Sequence, residues 1–135
     1  MENIDLGLLV LRLAVGLTIA PHGAQKLFGW FGGYGVKGTG AWLDSMGAKN
    51  GALIALFAGL GEFFGGLGVA AGFLTPIAAV GVIAVMIGAI ATAHKGKGFF
   101  NTNGGSELPL LIALGALGIA IAGPGAYSLS ATLGF

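Results

Sequence analysis

The sequence predicts an all-α membrane protein, an antiparallel bundle of four transmembrane helices with long first and third loops. Hydrophobic residues make up 56% of the 135-residue chain and charged residues only 8%. A soluble domain carries about 25% charged residues, because water must wet its surface. The charged side chains are therefore too few to cover a soluble globule, and we expect lipid to cover most of this surface. The length indicates one domain over residues 1–135.

Four apolar stretches are long enough to cross a hydrocarbon core of about 30 Å, which takes about 20 residues. They cover roughly residues 6–28, 52–72, 75–94 and 107–123. Thr75 is expected to be the N-cap of the third helix, with Pro76 at the first helical position. Ser106 is expected to cap the fourth, which stops at Gly123. The acidic start of the chain differs from a cleaved signal peptide, so the first helix is predicted to be retained.

The long first and third loops carry most of the positive charge. The first loop, about residues 29–50, is predicted to hold a short interfacial helix near residues 39–46. Four spans place both long loops on one side of the membrane, where five lysines lie: Lys26, Lys37, Lys49, Lys95 and Lys97. Because positive side chains concentrate in cytoplasmic loops, the long loops are predicted to face the cytoplasm.

The residue content limits how the helices can pack and which ligands the chain can bind. The chain has 28 glycines and no cysteine. In lipid, small residues let helix backbones approach closely, so the glycines predict a tight bundle. The lack of cysteine excludes disulfides, iron–sulfur clusters and zinc–thiolate sites. The net charge of +1 offers nucleic acid no basic surface. His22 and His94 have no metal-ligand spacing, so we expect no metal site and no haem.

Two charged residues, Arg12 and Glu62, lie deep inside predicted spans. A charge at the centre of a bilayer costs about 2.5–3.5 kcal/mol even on insertion scales. The predicted span boundaries put the two residues at depths only a few ångströms apart. We therefore predict a structural ion pair between them. In the alternative, Glu62 handles protons beside a bound ligand and Arg12 keeps it ionised.

A second group of polar residues lies nearer to the long loops. His22, Gln25 and Lys26 share the last turns of the first span, and His94 ends the third span on the same side. We predict that these residues converge on a site with apolar walls. Its predicted catalytic residues are His22, Lys26 and Glu107. Its predicted ligand-binding residues are Gln25, His94, Phe99, Phe100, Asn101 and Asn103. Alternatively, Lys26 snorkels at a helix end and His94 is only interfacial.

Several segments resemble the DoxX family of small bacterial membrane proteins. The specific parts are His22–Gly29, within the longer similar run Pro21–Gly33, and Asn103–Glu107. Leu11–Leu13, Glu62 with Gly65 and Gly66, Gly98–Phe100, Gly123–Gly125 and Ser128–Leu129 agree with them. The similarities cover nearly the whole chain in the right order. The chain departs from the family at Ser106, where an aromatic residue is usual.

The resemblance implies a four-helix protein of the bacterial cytoplasmic membrane, commonly described as an oxidoreductase subunit. Relatives are associated with quinone-linked thiosulfate oxidation and with thiol or oxidative-stress complexes. The family's functional residues would be Arg12, His22, Lys26, Glu62, Asn103 and Glu107.

We therefore predict a membrane subunit of a quinone-linked oxidoreductase that acts on a small reductant, such as a thiol or sulfur compound. Quinone would be a substrate, and no cofactor is intrinsic to the chain. Because the sequence shows no electron carrier, we expect a partner membrane or peripheral subunit, or a homo-oligomer. The alternatives are a non-catalytic anchor or assembly subunit of a larger membrane complex, and a transporter of a small solute or lipid.

Overall fold

The computed structural model describes residues 2–134, and within that range the chain forms helices and loops without a strand. The α-helices are α1 Glu2–Phe28, α2 Gly35–Ser45, α3 Gly51–Ala71, α4 Thr75–Ala91, α5 Glu107–Ala122 and α6 Leu129–Leu133. Short 3₁₀ turns cover Trp30–Gly32 and Asn101–Asn103. The all-α prediction is confirmed, including the short helix in the first loop.

Two of the helices are long and apolar enough to cross a membrane. Helix α1 has 27 residues and α3 has 21, and only 22% and 28% of their most apolar windows are buried. Helices α4 and α5 are also apolar, but they have 17 and 16 residues. The outer faces of these helices expose large apolar side chains such as Phe64, Ile77 and Leu111. Length alone thus supports two of the four predicted spans.

Glycines set the register between α1 and α3. Gly16 lies opposite Gly66, and Gly23 lies opposite Gly59. A Cβ atom added to Gly23 would lie 2.8 Å from the carbonyl oxygen of Gly59, closer than real Cβ atoms approach. The two backbones can approach this closely because the glycines themselves carry no side chain.

The core joins four helices, and α2 covers one end of α3. Buried apolar residues from α1, α3, α4 and α5 form the core: Ile19, Val69, Ala79, Val82, Met86, Ile112, Ala116 and Ile119. On α2, Thr39, Gly40 and Leu43 are buried. The Asp44 carboxylate accepts a hydrogen bond of 2.8 Å from the backbone N–H of Gly51, which satisfies one free donor at the start of α3.

The tight turn between α3 and α4 differs from the prediction in its capping residue. Leu74, with φ +48°, is the N-cap, so Thr75 is already helical and Pro76 follows it. The Thr75 hydroxyl is buried without a hydrogen-bond partner in the described range. The turn itself, with Gly72 at φ +69°, lies where the sequence predicted it. Ser106 is the N-cap of α5 as predicted, although its side chain makes no capping hydrogen bond.

Candidate functional site

An ion pair joins α1 to the middle of α3. The Lys26 ammonium donates a hydrogen bond to Oε1 of Glu62. The Glu62 side chain is 1% exposed and that of Lys26 is 29% exposed. Side chains in a helix lean toward the N-terminus of their own helix. Since α1 and α3 are antiparallel, Lys26 and Glu62 lean toward each other.

The predicted ion pair between Arg12 and Glu62 is wrong. The glycine register places Arg12 beside Val69 and Ala70, about 12 Å along α3 from Glu62 at 1.5 Å per residue. Arg12 and Glu62 also lean in opposite directions, each toward the start of its own helix. The predicted span boundaries had placed the two residues too close in depth.

Arg12 instead binds backbone carbonyls and has a structural role. Its guanidinium donates to the carbonyl oxygens of Val69 and Ala70 at 3.2 Å, of Tyr127 at 2.9 Å and of Pro124 at 2.5 Å. The side chain is 1% exposed. The C-terminal end of a helix carries a partial negative charge, so the end of α3 compensates the guanidinium without a carboxylate. Arg12 thereby fastens the segment after α5 to α1 and α3.

A cavity of about 750 Å³ adjoins the Lys26–Glu62 pair. Residues of α2, α3 and α4 line it, together with Lys26 near the end of α1 and residues 92–94 just after α4. The wall is mostly apolar: Trp42, Leu43, Leu53, Ile54, Phe57, Ala58, Gly61, Gly81, Ala84, Val85, Gly88, Ala89 and Ala93. The remaining lining residues are polar: Lys26, Thr39, Glu62, Thr92 and His94.

One oxygen of the Glu62 carboxylate is unsatisfied. Oε1 is bound to Lys26, but Oε2 is buried and has no hydrogen-bond partner within residues 2–134. A buried polar atom left unpaired costs about 1–3 kcal/mol, and more when the group is charged. Because Glu62 lines the cavity, a rotation of its carboxylate would let a donor group of a ligand there supply the missing partner.

A smaller cavity of about 440 Å³ also contacts Lys26. It shares Lys26, Thr39 and Trp42 with the larger cavity and also contacts Gln25. The Gln25 amide donates to the carbonyl oxygen of Phe31 at 3.2 Å. Gln25 is therefore a neighbour of the larger cavity and not part of its wall.

The structure brings together only some of the predicted site residues. Lys26 and His94 line the larger cavity, whereas His22 is exposed on α1 and does not. Glu107 is exposed at the start of α5, and its carboxylate accepts from the backbone N–H of Asn101 at 2.9 Å.

The connection between α4 and α5 also lies outside the cavity wall. Phe99 and Phe100 are 50% and 65% exposed, and Asn101 and Asn103 are exposed in a 3₁₀ turn. A hydrogen bond of 2.7 Å from Nδ1 of His94 to the carbonyl oxygen of Gly104 ties this connection to the end of α4. A role of these four residues in ligand binding remains a prediction.

Sequence reasoning missed Thr39, Trp42 and Phe57 as cavity residues. The helix that carries Trp42 was expected at the membrane interface, and Glu62 was expected first as part of a structural pair and alternatively beside a bound ligand. Thr39 and Trp42 are three residues apart, a spacing that puts both side chains on one face of α2. That spacing was the available signal, although it could not show which helix the face contacts.

These features define an α-helical membrane protein. Its outer faces are apolar, its charged residues Arg12 and Glu62 are buried, and a site with polar residues lies between its helices. The DoxX family model matches residues 7–95, well over half of the chain. The chain therefore belongs to the DoxX family of membrane proteins. The matched range includes Lys26, Glu62 and His94 and ends before Glu107. No curated protein and no solved structure matches the chain significantly.

Proposed function

We propose that this protein is a quinone-binding membrane subunit of an oxidoreductase. The observation that carries the proposal is the Glu62 carboxylate, which is buried beside Lys26 in the wall of an apolar cavity and keeps one oxygen free. A charged residue at membrane depth generally faces the interior of a bundle and marks a functional pathway or site. A quinone matches this site because it combines an apolar ring with two oxygens that form hydrogen bonds.

The proposed binding mode uses both members of the ion pair. The Lys26 ammonium has three N–H donors and gives one to Glu62, so it can also donate to a quinone oxygen. If the Glu62 carboxylate rotates toward the cavity, its unpaired Oε2 can accept a hydrogen bond from a quinol hydroxyl. Trp42 and Phe57 offer apolar surfaces to the ring.

His94 can contact the second oxygen from the α4 side of the cavity. Its Nδ1 faces the Gly104 carbonyl, which can only accept, so Nδ1 carries the proton. In the neutral ring, Nε2 is then an acceptor for a quinol hydroxyl, and it becomes a donor when the ring is charged.

Reduction of a quinone to a quinol takes two electrons and two protons. Lys26, Glu62 and His94 are groups that can transfer those protons at the ring oxygens. The electrons would come from a small reductant, such as a thiol or sulfur compound, through a partner subunit that carries a redox cofactor. The chain would then be the quinone-binding subunit of a larger assembly, and the partner would carry the electrons.

We further propose that α4 and α5 complete a bundle of four spans. At 1.5 Å per residue they are about 25 Å long, and a bilayer can thin locally to match a short helix. Both long loops would then face the bacterial cytoplasm, as the five lysines of that side suggest.

Introduced cysteines test this topology, because the natural chain has none. Lys37 and Tyr127 are exposed and lie on opposite sides in the four-span arrangement. In intact bacteria, a membrane-impermeant maleimide should label Tyr127→Cys, and should label Lys37→Cys only after permeabilisation. Labelling of both variants in intact cells would contradict the four-span topology.

Fluorescence can test quinone binding directly. The chain has two tryptophans, so Trp30→Phe leaves Trp42, in the cavity wall, as the sole reporter. A short-chain quinone added to this variant in nanodiscs should quench Trp42 at saturable concentrations. Lys26→Met or Glu62→Gln should weaken binding about tenfold, the equivalent of one hydrogen bond to a charged group.

Lys37→Met is the matched control, because Lys37 is an exposed lysine outside the cavity lining. It should leave the quenching curve unchanged. If quenching does not saturate, or if the Lys26 and Glu62 variants bind as the parent does, the quinone proposal fails. A non-catalytic anchor subunit would then be the better explanation.

A further inference from the structure

A second apolar groove of about 720 Å³ runs along α3 and α4. It extends from Phe57 to the turn at Phe73 and Leu74, where Leu129 of α6 also contacts it. The part of α3 between Gly61 and Ala71 is about 15 Å long. The groove therefore spans much of the depth of the bundle.

The groove adjoins the cavity that holds the ion pair. Phe57, Gly61 and Gly81 line both spaces. A Cβ atom added to Gly81 would have the carbonyl oxygen of Gly61, 4.0 Å away, as its nearest neighbour. The side of the junction next to Gly81 is therefore open, whereas the Val85 side chain of α4 packs against Gly61 on the other side.

We propose that this groove holds the polyprenyl tail of the quinone whose ring lies in the cavity, an inference that rests on the proposed function. The buried, half-satisfied carboxylate of Glu62 fixes where the polar head of a ligand belongs. An apolar tail attached to that head has to leave the cavity along an apolar path. The groove offers such a path through the glycine junction, and its walls are apolar throughout, as in Leu60, Leu67 and Ile77.

The experiment uses a quinone whose prenyl tail carries a photoreactive diazirine, bound to the full chain in nanodiscs and then illuminated. Mass spectrometry should find the adducts on the groove, within residues 60–78 of α3, α4 and their turn. An excess of the same quinone without the diazirine should prevent the labelling.

Two matched alanine variants test the path of the tail. Ala71 and Ala122 are the last residues of α3 and α5, but only Ala71 lines the groove. Ala71→Phe fills the far end of the groove and should remove most of the labelling, whereas Ala122→Phe should keep it. Quenching of Trp42 by a tailless quinone should be unchanged in Ala71→Phe, because Ala71 does not line the cavity.

The tail site would be overturned by adducts on α1 or α5, or by full labelling in Ala71→Phe. If Trp42 is still quenched in those experiments, the ring site in the cavity stands without the tail site. Labelling that excess phospholipid prevents, but excess quinone does not, would assign the groove to a lipid acyl chain and also overturn the inference. If no quinone quenches Trp42 in the parent, the proposed function itself fails. The adduct map of the parent decides the question if Ala71→Phe does not fold.

Discussion

Replacing Lys26 by methionine should destabilise the protein more than replacing Glu62 by glutamine. Methionine keeps most of the apolar stem but leaves the Glu62 carboxylate, 1% exposed, without its cation. Removing one partner of a buried pair costs about 3–5 kcal/mol. Because Lys26 is 29% exposed, we expect a loss near the lower end, about 3 kcal/mol. Glu62→Gln leaves a lysine that can still reach water, so its expected cost is about 1 kcal/mol.

The double variant Lys26→Met/Glu62→Gln removes both charges together. It should recover most of the loss, because no buried charge is left without a partner. The assay is an unfolding titration in mixed micelles with a denaturing detergent, followed by tryptophan fluorescence. Lys37→Met serves as the control for loss of an exposed lysine.

The coupling energy is the difference between the loss in the double variant and the sum of the losses in the two single variants. A coupling energy within about 0.5 kcal/mol of zero, the range found for independent sites, would refute the prediction. In that case the double variant would lose the sum of the two single losses. Equal losses in the two single variants would also contradict the reasoning, because it depends on the unequal burial of the two side chains.

Three further predictions use the same titration or a local probe. Arg12→Lys keeps the charge, but all donors of a lysine are on one nitrogen, which cannot reach all of the carbonyl oxygens that Arg12 binds. The free energy of unfolding should therefore fall by about 2–3 kcal/mol. A fall of less than about 0.5 kcal/mol would contradict this. Gly23→Ala should lower the free energy of unfolding by about 1–3 kcal/mol, because the new Cβ would lie 2.8 Å from the carbonyl oxygen of Gly59. Gly7→Ala is the control: its Cβ would have no atom within 4 Å, so it should be neutral or stabilising. Asp44→Ala should lower the free energy of unfolding by about 1 kcal/mol and speed hydrogen exchange of the first amides of α3. Unchanged exchange would show that Asp44 does not cap this helix.

The positions of the helices could be predicted because apolar length and turn residues are local signals. The turn at Gly72 and the stop at Gly123 both lie where glycine permits a positive φ. The N-cap at Leu74 could not be predicted in the same way. A positive φ is uncommon for a residue with a β-carbon, so local sequence preferences do not indicate Leu74 at φ +48°.

The pairing of charges depended on the register between α1 and α3, which the span boundaries did not reveal. Gly16 and Gly23 are seven residues apart on α1, and Gly59 and Gly66 are seven apart on α3. Matching these two intervals in antiparallel order gives the register that the structure shows. Span boundaries are blurred by several residues in lipid, whereas a backbone contact between glycines is a sharp marker.

The candidate site could be predicted in part, because polar residues in an apolar chain stand out. Lys26 and His94 were found in this way and do line the cavity. Glu107 was placed with them because it begins the fourth span on the same side and because the family resemblance includes it. Its connection instead folds onto itself, with the N–H of Glu107 donating to the carbonyl oxygen of Phe99 at 2.8 Å. A loop rich in glycine allows too many paths for that contact to be read from the sequence.

The carbonyl contacts of Arg12 have a consequence for biosynthesis. Two of its acceptors belong to Pro124 and Tyr127, which are 112 and 115 residues further along the chain. At about 5–20 residues per second, they are synthesised roughly 6–23 s after Arg12. The first helix therefore enters the bilayer with a guanidinium whose acceptors do not yet exist. The carbonyls of Val69 and Ala70 are made first, and completion of the C-terminal segment supplies the last two acceptors. Until then the membrane insertion machinery, water or lipid headgroups must help to solvate this side chain.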